Sequence, residues 1–312
     1  MASLSQEPRL VRLKASPAPI LSNLSSNGLH YAYISKRRVH MVPVTPPGED
    51  PVMHSRVAYH PTGALMGCGW DSLDGKTVLR VDSTDAVAIL DATGTETLLL
   101  HPVGADNVAL FFSASRIVPE WRDAGPVLFA GLSSGEIAVV DVASGELLES
   151  LGGHLAAITS VFPIEDANVV ISADDSGRAL VWDIDSGLVV RELCMGDGVP
   201  ITGLLARIDT VILAFANGIL RFFSLSNPDK IAEVHAHSRL ITGIALMGSR
   251  GVVVSVGQDG AVFAFDFTDL NNVKLTFSAA VPDAIFQGVS ASSSEIATIA
   301  YDSHKLRVFD RK

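Results

Sequence analysis

Serine, histidine and aspartate are the side chains of a nucleophilic triad, in which an imidazole takes the hydroxyl proton and a carboxylate holds that imidazole in one tautomer. The stretch GGHLAAITSVFPIEDANVVISADDSGRALVWDIDSG carries all three types as His154, Ser172 and Asp175. A hydrolytic serine stands on a tight exposed turn such as GxSxG, beside donors for an oxyanion. Ser172 instead lies inside VVISA, an alternating apolar pattern with no such loop beside it. The same residue types suit a buried hydrogen-bonded staple, because the indole of Trp182 brings one donor that must be satisfied, and a Ser-His-Asp series can satisfy it. Ser172, His154 and Trp182 are therefore expected to be structural. Either Asp174 or Asp175 can complete the series, and Asp175 is the expected member. A near copy occurs at His237, Ser255 and Asp259, where Phe265 replaces the tryptophan and removes the donor.

Other chemistries find less support. The nine histidines are scattered, and only His235 and His237 are close, with no acid or thiol at supporting spacing, so no metal is expected. Asp174 and Asp175 are neighbours in a turn and do not converge on one substrate. GCGWDS is a broken echo of GxGxxG, and no GxxxxGK[ST] is present, so no nucleotide or other cofactor is expected. The net charge of -11 disfavours nucleic acid and anionic lipid. Lys36, Arg37 and Arg38 form a basic run that reads as a solvated hairpin turn. The first residues lack the basic flank and apolar run of a signal peptide, and the apolar region 199–225 is broken by Arg207, Asp209, Asn217, Gly218 and Arg221. With two cysteines that lack CxxC spacing, this predicts an intracellular, cytoplasmic protein that does not insert in membranes.

The elements that must position these residues repeat. Apolar segments ending in VHMVPVTPPG, VAILDATG, IAVVDVASG, ALVWDIDSG, LRFFSLSNPD, VFAFDFTDL and LRVFDRK place Pro43, Asp91, Asp141, Asp183, Ser224, Asp266 and Asp310 at matching positions, in steps of 48, 50, 42, 41, 42 and 44 residues. Each unit alternates with period two and carries turns such as Asn217-Gly218 and Asp259-Gly260. Four short strands in about 43 residues make one propeller blade, so the chain predicts an all-β, seven-bladed β-propeller. The last unit ends after a third strand, and RLVRLKA, residues 9–15, reads as the missing fourth, closing the ring. Residues 1–8 are then a flexible N-terminus and 9–312 one domain. MGCGWDSLDGKTV in the second unit reads as an inserted hairpin or loop.

Gly153-His154, Ser172, Asp175 and Trp182-Asp183, with 27 residues between the two dipeptides, resemble the WD-repeat family. The copy at His237, Ser255, Asp259-Gly260 and Phe265-Asp266 strengthens the resemblance. It implies that tryptophan, serine, histidine and aspartate form one buried chain of hydrogen bonds. It also implies an intracellular, noncatalytic protein-interaction scaffold, with a cilium- or flagellum-associated assembly as one setting. Members that act as substrate receptors of ubiquitin ligases carry an arginine two residues after the Trp-Asp aspartate; Asp185 and Thr268 stand there instead. A propeller hydrolase would need side chains converging on the central channel, and the sequence shows no such set. Peptides dock in this family at the narrow end, where Leu155, Asp197, Ser238 and Arg239 are candidate contacts. Trp70 and Trp121, in the turn-rich segments GWDSLDG and PEWRDAG, are candidate exposed anchors, against the favoured alternative that each ring folds back over a neighbouring strand and covers its edge. The expected partners are basic or amphipathic segments of other proteins, bound by a monomer within a larger complex.

Overall fold

The computed structural model describes residues 4–45, 55–57, 59–103, 115–122, 125–164, 167–227, 231–248 and 251–311. Its strands form seven antiparallel sheets of four. Each third strand ends on the residue that marks the repeat: Arg38–Pro43, Ala86–Asp91, Glu136–Asp141, Arg178–Asp183, Ile219–Ser224, Ala261–Asp266 and Lys305–Asp310. The innermost strands touch in sequence around the ring, and Ser25–Ser26 of blade one contacts both Leu65–Leu73 of blade two and Phe286–Ala291 of blade seven. No helix among the described residues is long and apolar enough to cross a membrane.

Period two decides where the core lies. In blade four, Ile171, Ala173, Ala179 and Val181 pack with Ile201, Val211 and Leu213 of blade five. The alternate residues Val170, Leu180 and Trp182 pack with Val127, Phe129 and Val139 of blade three. Each sheet thus buries both faces, and each fully buried aliphatic side chain contributes about 1.5–3 kcal/mol. The innermost strands of blades four, five and six bulge at their start, with Thr159, Thr202 and Thr242 as the extra residues. Their hydroxyls donate to the carbonyls of Ala173, Ala214 and Val256 at 3.2–3.3 Å. Asn23 does the same work in blade one, where Nδ2 donates to the Ile34 carbonyl at 2.9 Å and Oδ1 accepts the Ile34 N–H at 2.6 Å. A bulge frees backbone groups from the ladder, and these side chains take them up.

The ring closes with Arg9–Arg12 paired antiparallel to Lys305–Asp310, Val11 standing opposite Leu306. Val11 and Leu13 complete an apolar cluster with Tyr31, Tyr33, Ile299 and Val308 between blades seven and one. The chain is tied down earlier than the flexible 1–8 segment expected from sequence. Leu4 bridges to Arg311, and the Ser5 N–H donates to the Asp310 carbonyl at 2.8 Å, because the third strand of blade seven still offers backbone partners there. Residues 1–3 lie outside the described residues. The segment 66–78 of the second unit is not a separate inserted hairpin. The unit's first two strands are themselves long, Leu65–Leu73 and Lys76–Ser83, and turn at Asp74-Gly75. The turn at Asn217-Gly218 needs its glycine twice over: φ is +87°, and a Cβ would stand 2.1 Å from the His237 carbonyl oxygen.

Candidate functional site

Ser172 and Trp182 lie on the second and third strands of blade four, and His154 lies on the loop entering that blade. The Trp182 indole N–H donates to Ser172 Oγ at 2.7 Å. Ser172 Oγ is 2.6 Å from His154 Nε2, and His154 Nδ1 is 2.7 Å from a carboxylate oxygen. One proton per bond follows if the serine hydroxyl donates to Nε2 and Nδ1–H donates to the carboxylate. That carboxylate belongs to Asp174, not to the expected Asp175. Ser172 and Asp174 are two apart on one strand and share a face, whereas Asp175 turns outward and is exposed. The other Asp174 oxygen accepts the Ser176 and Arg178 N–H groups at 3.0 and 2.9 Å. Burial works against its charge, but the bonds from His154 and Ser176 outweigh it and hold Asp174 below the ordinary carboxylate range.

Blade six solves the same problem differently. His237 Nε2 meets Ser255 Oγ and Nδ1 meets Asp259 Oδ1, each at 2.9 Å. Ser172 to Gly177 and Ser255 to Gly260 are equally long, yet Gly257 stands where blade four has Asp174. A Cβ at Gly257 would lie 2.7 Å from His237 Nδ1, so the glycine leaves room for Asp259 to reach in from the turn. Burial lowers the His237 pKa and the Asp259 carboxylate opposes this, leaving it below the usual histidine value.

The aspartate of the Trp-Asp pair has a separate task. Asp183 Oδ1 accepts the Ser186 N–H at 2.8 Å and its hydroxyl at 2.7 Å. Asp141 repeats this with Ser144, and Asp266 with Thr268, so these carboxylates cap the turn to the fourth strand. As a nucleophilic site the blade-four trio is closed: Ser172 and Asp174 are fully buried and His154 is nearly so. His235 is exposed beside Glu233 while His237 is buried in its network, so the two do not face one site.

Neither of the two tryptophans weighed as exposed anchors stands free in solvent. Trp121 is 3% exposed, edge-on to Phe129 with ring centroids 4.9 Å apart. Arg122 covers it and donates to the carbonyls of Asp185 and Ser186, so the pair clamps blade three to the turn of blade four. Trp70 stands within the strand Leu65–Leu73, half-buried, and lines the central channel. Their turn-like flanks GWDSLDG and PEWRDAG misled because a long inner strand and a tight clamp use the same residue types. Leu155, Asp197, and the pair Ser238 and Arg239 lie on three successive connections between a fourth strand and the next innermost strand, all exposed at one end of the ring. Asp197 is paired there with Arg221 at 3.3 Å.

One charged cluster escaped the sequence reading. Arg80 donates from Nε to Asp71 at 2.9 Å, contacts Asp82, and donates to Ser115 Oγ of blade three at 3.0 Å. Arg80 and Asp82 occupy positions that in blade four hold Ile171 and Ala173. Burial works against the arginine charge, but Asp82 and Asp71 outweigh it and raise its pKa. Gly69 gives the guanidinium room, since a Cβ there would lie 2.8 Å from Nη2. The available signal was two charges at alternate positions in the strand pattern KTVLRVDS.

No family model matches the chain. WD repeat-containing protein 54 of Homo sapiens is 22% identical over 273 residues, covering 80% of each protein. WD repeat-containing protein 1 of Gallus gallus is 26% identical over 142 residues, which cover 43% of this chain and 23% of that protein. Among solved structures, the WD40 β-propeller domain of Doa1 superposes with a TM-score of 0.74 at 17% identity, covering 98% of this chain and 97% of that one. The likeness to such propellers supports a protein-interaction scaffold. Seven four-stranded blades, the indole-anchored staple of blade four and this set of relatives together give the chain the fold of a WD-repeat β-propeller, similar over most of its length to WD repeat-containing protein 54.

Proposed function

We propose that the protein is a noncatalytic scaffold, a monomer within a larger complex, that holds basic, amphipathic segments of partner proteins on the ring end carrying the connections between blades three and six. The observation that supports this best is Leu155. It is 96% exposed, yet it follows directly on His154, whose ring is held at both nitrogens. An apolar side chain on a rigid post loses little conformational freedom when a partner covers it. Met195, 84% exposed, is the last residue of the fourth strand before the next connection, and the exposed carboxylates of Asp175 and Asp197 flank the two loops. An apolar pair among acids suits a segment with an apolar anchor and basic neighbours.

Affinity capture from cells with mapped cross-links tests the reading. Leu155→Glu should lose captured partners and the cross-links at residues 155 and 197, while leaving the melting temperature unchanged. Raising salt should weaken capture, since the flanking charges are exposed. Partners retained by Leu155→Glu would overturn the proposed face. A place in a cilium- or flagellum-associated assembly is a finer form of this reading, tested by whether the tagged protein fractionates with axonemes.

A further inference from the structure

The fourth strands of blades two, three and four, Thr97–Pro102, Leu147–Gly152 and Val189–Met195, each bulge at their start. The residue left out of the ladder there is the second of the strand each time: Leu98, Leu148 and Val190. Blade six bulges at the matching place, but its extra residue is Thr276, whose hydroxyl donates to the Ala264 carbonyl at 3.0 Å. A bulge accounts for a threonine that takes up a freed backbone group, and it does not account for three exposed aliphatic side chains. Leu100, Leu147 and Leu188 beside them are exposed as well. The strand of blade two lies against the Gly145 turn of blade three, where His101 Nδ1 is 3.2 Å from the glycine carbonyl oxygen. Leu151 of blade three likewise reaches the Gly187 turn of blade four. Those turns lead into Leu147 and Leu188, so the six side chains make one apolar belt along the outer strands of three successive blades.

Acids border the belt. Glu96, Glu146 and Asp185 are exposed beside it, and residues 91–102 and 141–152 contain no lysine or arginine. The nearby cations are engaged, Arg122 with Glu149, Arg178 with Glu192, and Arg191 with the Ser224 and Leu225 carbonyls. We infer that this rim is a second docking surface, and that it binds a basic amphipathic helix of a partner protein. The apolar face of the helix covers Leu98, Leu148 and Val190, and its lysines or arginines meet the acids. An added β-strand fits poorly, because each bulge interrupts the row of edge N–H and C=O groups that it would pair with. Recognition passes to side chains, and a helix offers an apolar stripe from residues at i, i+3, i+4 and i+7. A second copy of this chain would set acid against acid, and an anionic lipid surface would meet the same repulsion. The surface is separate from the proposed ring end: the belt lies at the start of the fourth strands, whereas Leu155 follows the end of one.

The test titrates full-length protein carrying Leu155→Glu, so that the ring end does not contribute, into a labelled synthetic peptide of leucine and lysine with its leucines on one helical face. Fluorescence anisotropy should show saturable binding. Adding Leu148→Ser and Val190→Ser together should weaken it by about tenfold or more, because two aliphatic side chains lose their burial against the peptide. Both positions are exposed, so the melting temperature should stay close to its starting value. A peptide with the same leucine pattern and glutamate in place of lysine should bind more weakly. No saturable binding, equal affinity in the folded double variant, or equal affinity for the glutamate peptide would overturn the inference. So would a dimer in sedimentation velocity that the double variant abolishes, since a second copy would then occupy the belt. If the double variant fails to fold, Leu98→Ser alone decides the matter by the same measurement. Capture through Leu155 is read in its own experiment, so the two surfaces fail independently.

Discussion

The Trp182 indole N–H ends on Ser172 Oγ, 2.7 Å away, and so ties the third strand of blade four to the second while Ser172 passes the link on to His154. Ser172→Ala leaves the indole donor and an imidazole nitrogen unpaired in a dry site. The expected loss is about 1–3 kcal/mol of stability. Because both residues belong to one network, Ser172→Ala combined with Trp182→Phe should cost less than the two single changes summed, as read from chemical unfolding.

Asp174 and Asp175 separate cleanly. Asp174→Asn replaces the carboxylate that accepts the His154 Nδ1–H hydrogen bond and caps two backbone N–H groups, and it should destabilise by about 1–3 kcal/mol. Asp175→Asn, at an exposed position, should stay within about 0.5 kcal/mol. Equal effects in thermal unfolding would count against the assignment.

Stability should fall with acid in two stages. His237 is held below its ordinary value of 6.5, so the unfolded chain takes up that proton first as pH falls. Its contribution is present above about pH 6.5 and is lost below it. Asp174 and Asp259 are held below 3.8, so their contributions are full above that value and are lost below it, as pH falls toward their lower folded values. Unfolding midpoints measured from pH 8 to pH 3 should show both stages. His237→Gln, weaker at every pH, should flatten the first; an unchanged slope would refute the assignment.

Removing residues 1–15 strips the fourth strand of blade seven, takes Val11 and Leu13 from the cluster at the seam, and exposes the edge of Lys305–Asp310. The truncated chain should aggregate or remain unfolded, because an open ring presents unpaired edges. A monomeric product with unchanged melting temperature, by light scattering and calorimetry, would contradict closure.

Arg80→Met should be among the most damaging single changes, since it leaves the buried Asp82 and the half-buried Asp71 without their cation. Breaking such a group costs about 3–5 kcal/mol. Replacing Arg80, Asp71 and Asp82 together by apolar residues should recover much of that loss, as measured by urea unfolding.

The repeat itself was legible. Period-two alternation, glycine turns and the step between Trp-Asp-like pairs are local, and they located the end of every third strand as well as the N-terminal strand that closes blade seven. The residue types of the staple were legible too, because an indole donor inside a strand demands a buried acceptor. What the sequence left open depended on how strands face one another. Asp174 and Asp175 differ by one position, and only the strand register shows which one shares a face with Ser172. Gly257 explains Asp259 only once the His237 ring is seen beside it. Trp121 looked like a loop residue until the turn of blade four covered it. Arg80 and Ser115 sit on different blades, and their hydrogen bond follows from neighbouring sheets packing face to face. Short-range pattern specifies each blade, whereas contacts between blades join residues far apart in the chain and are decided when the ring closes.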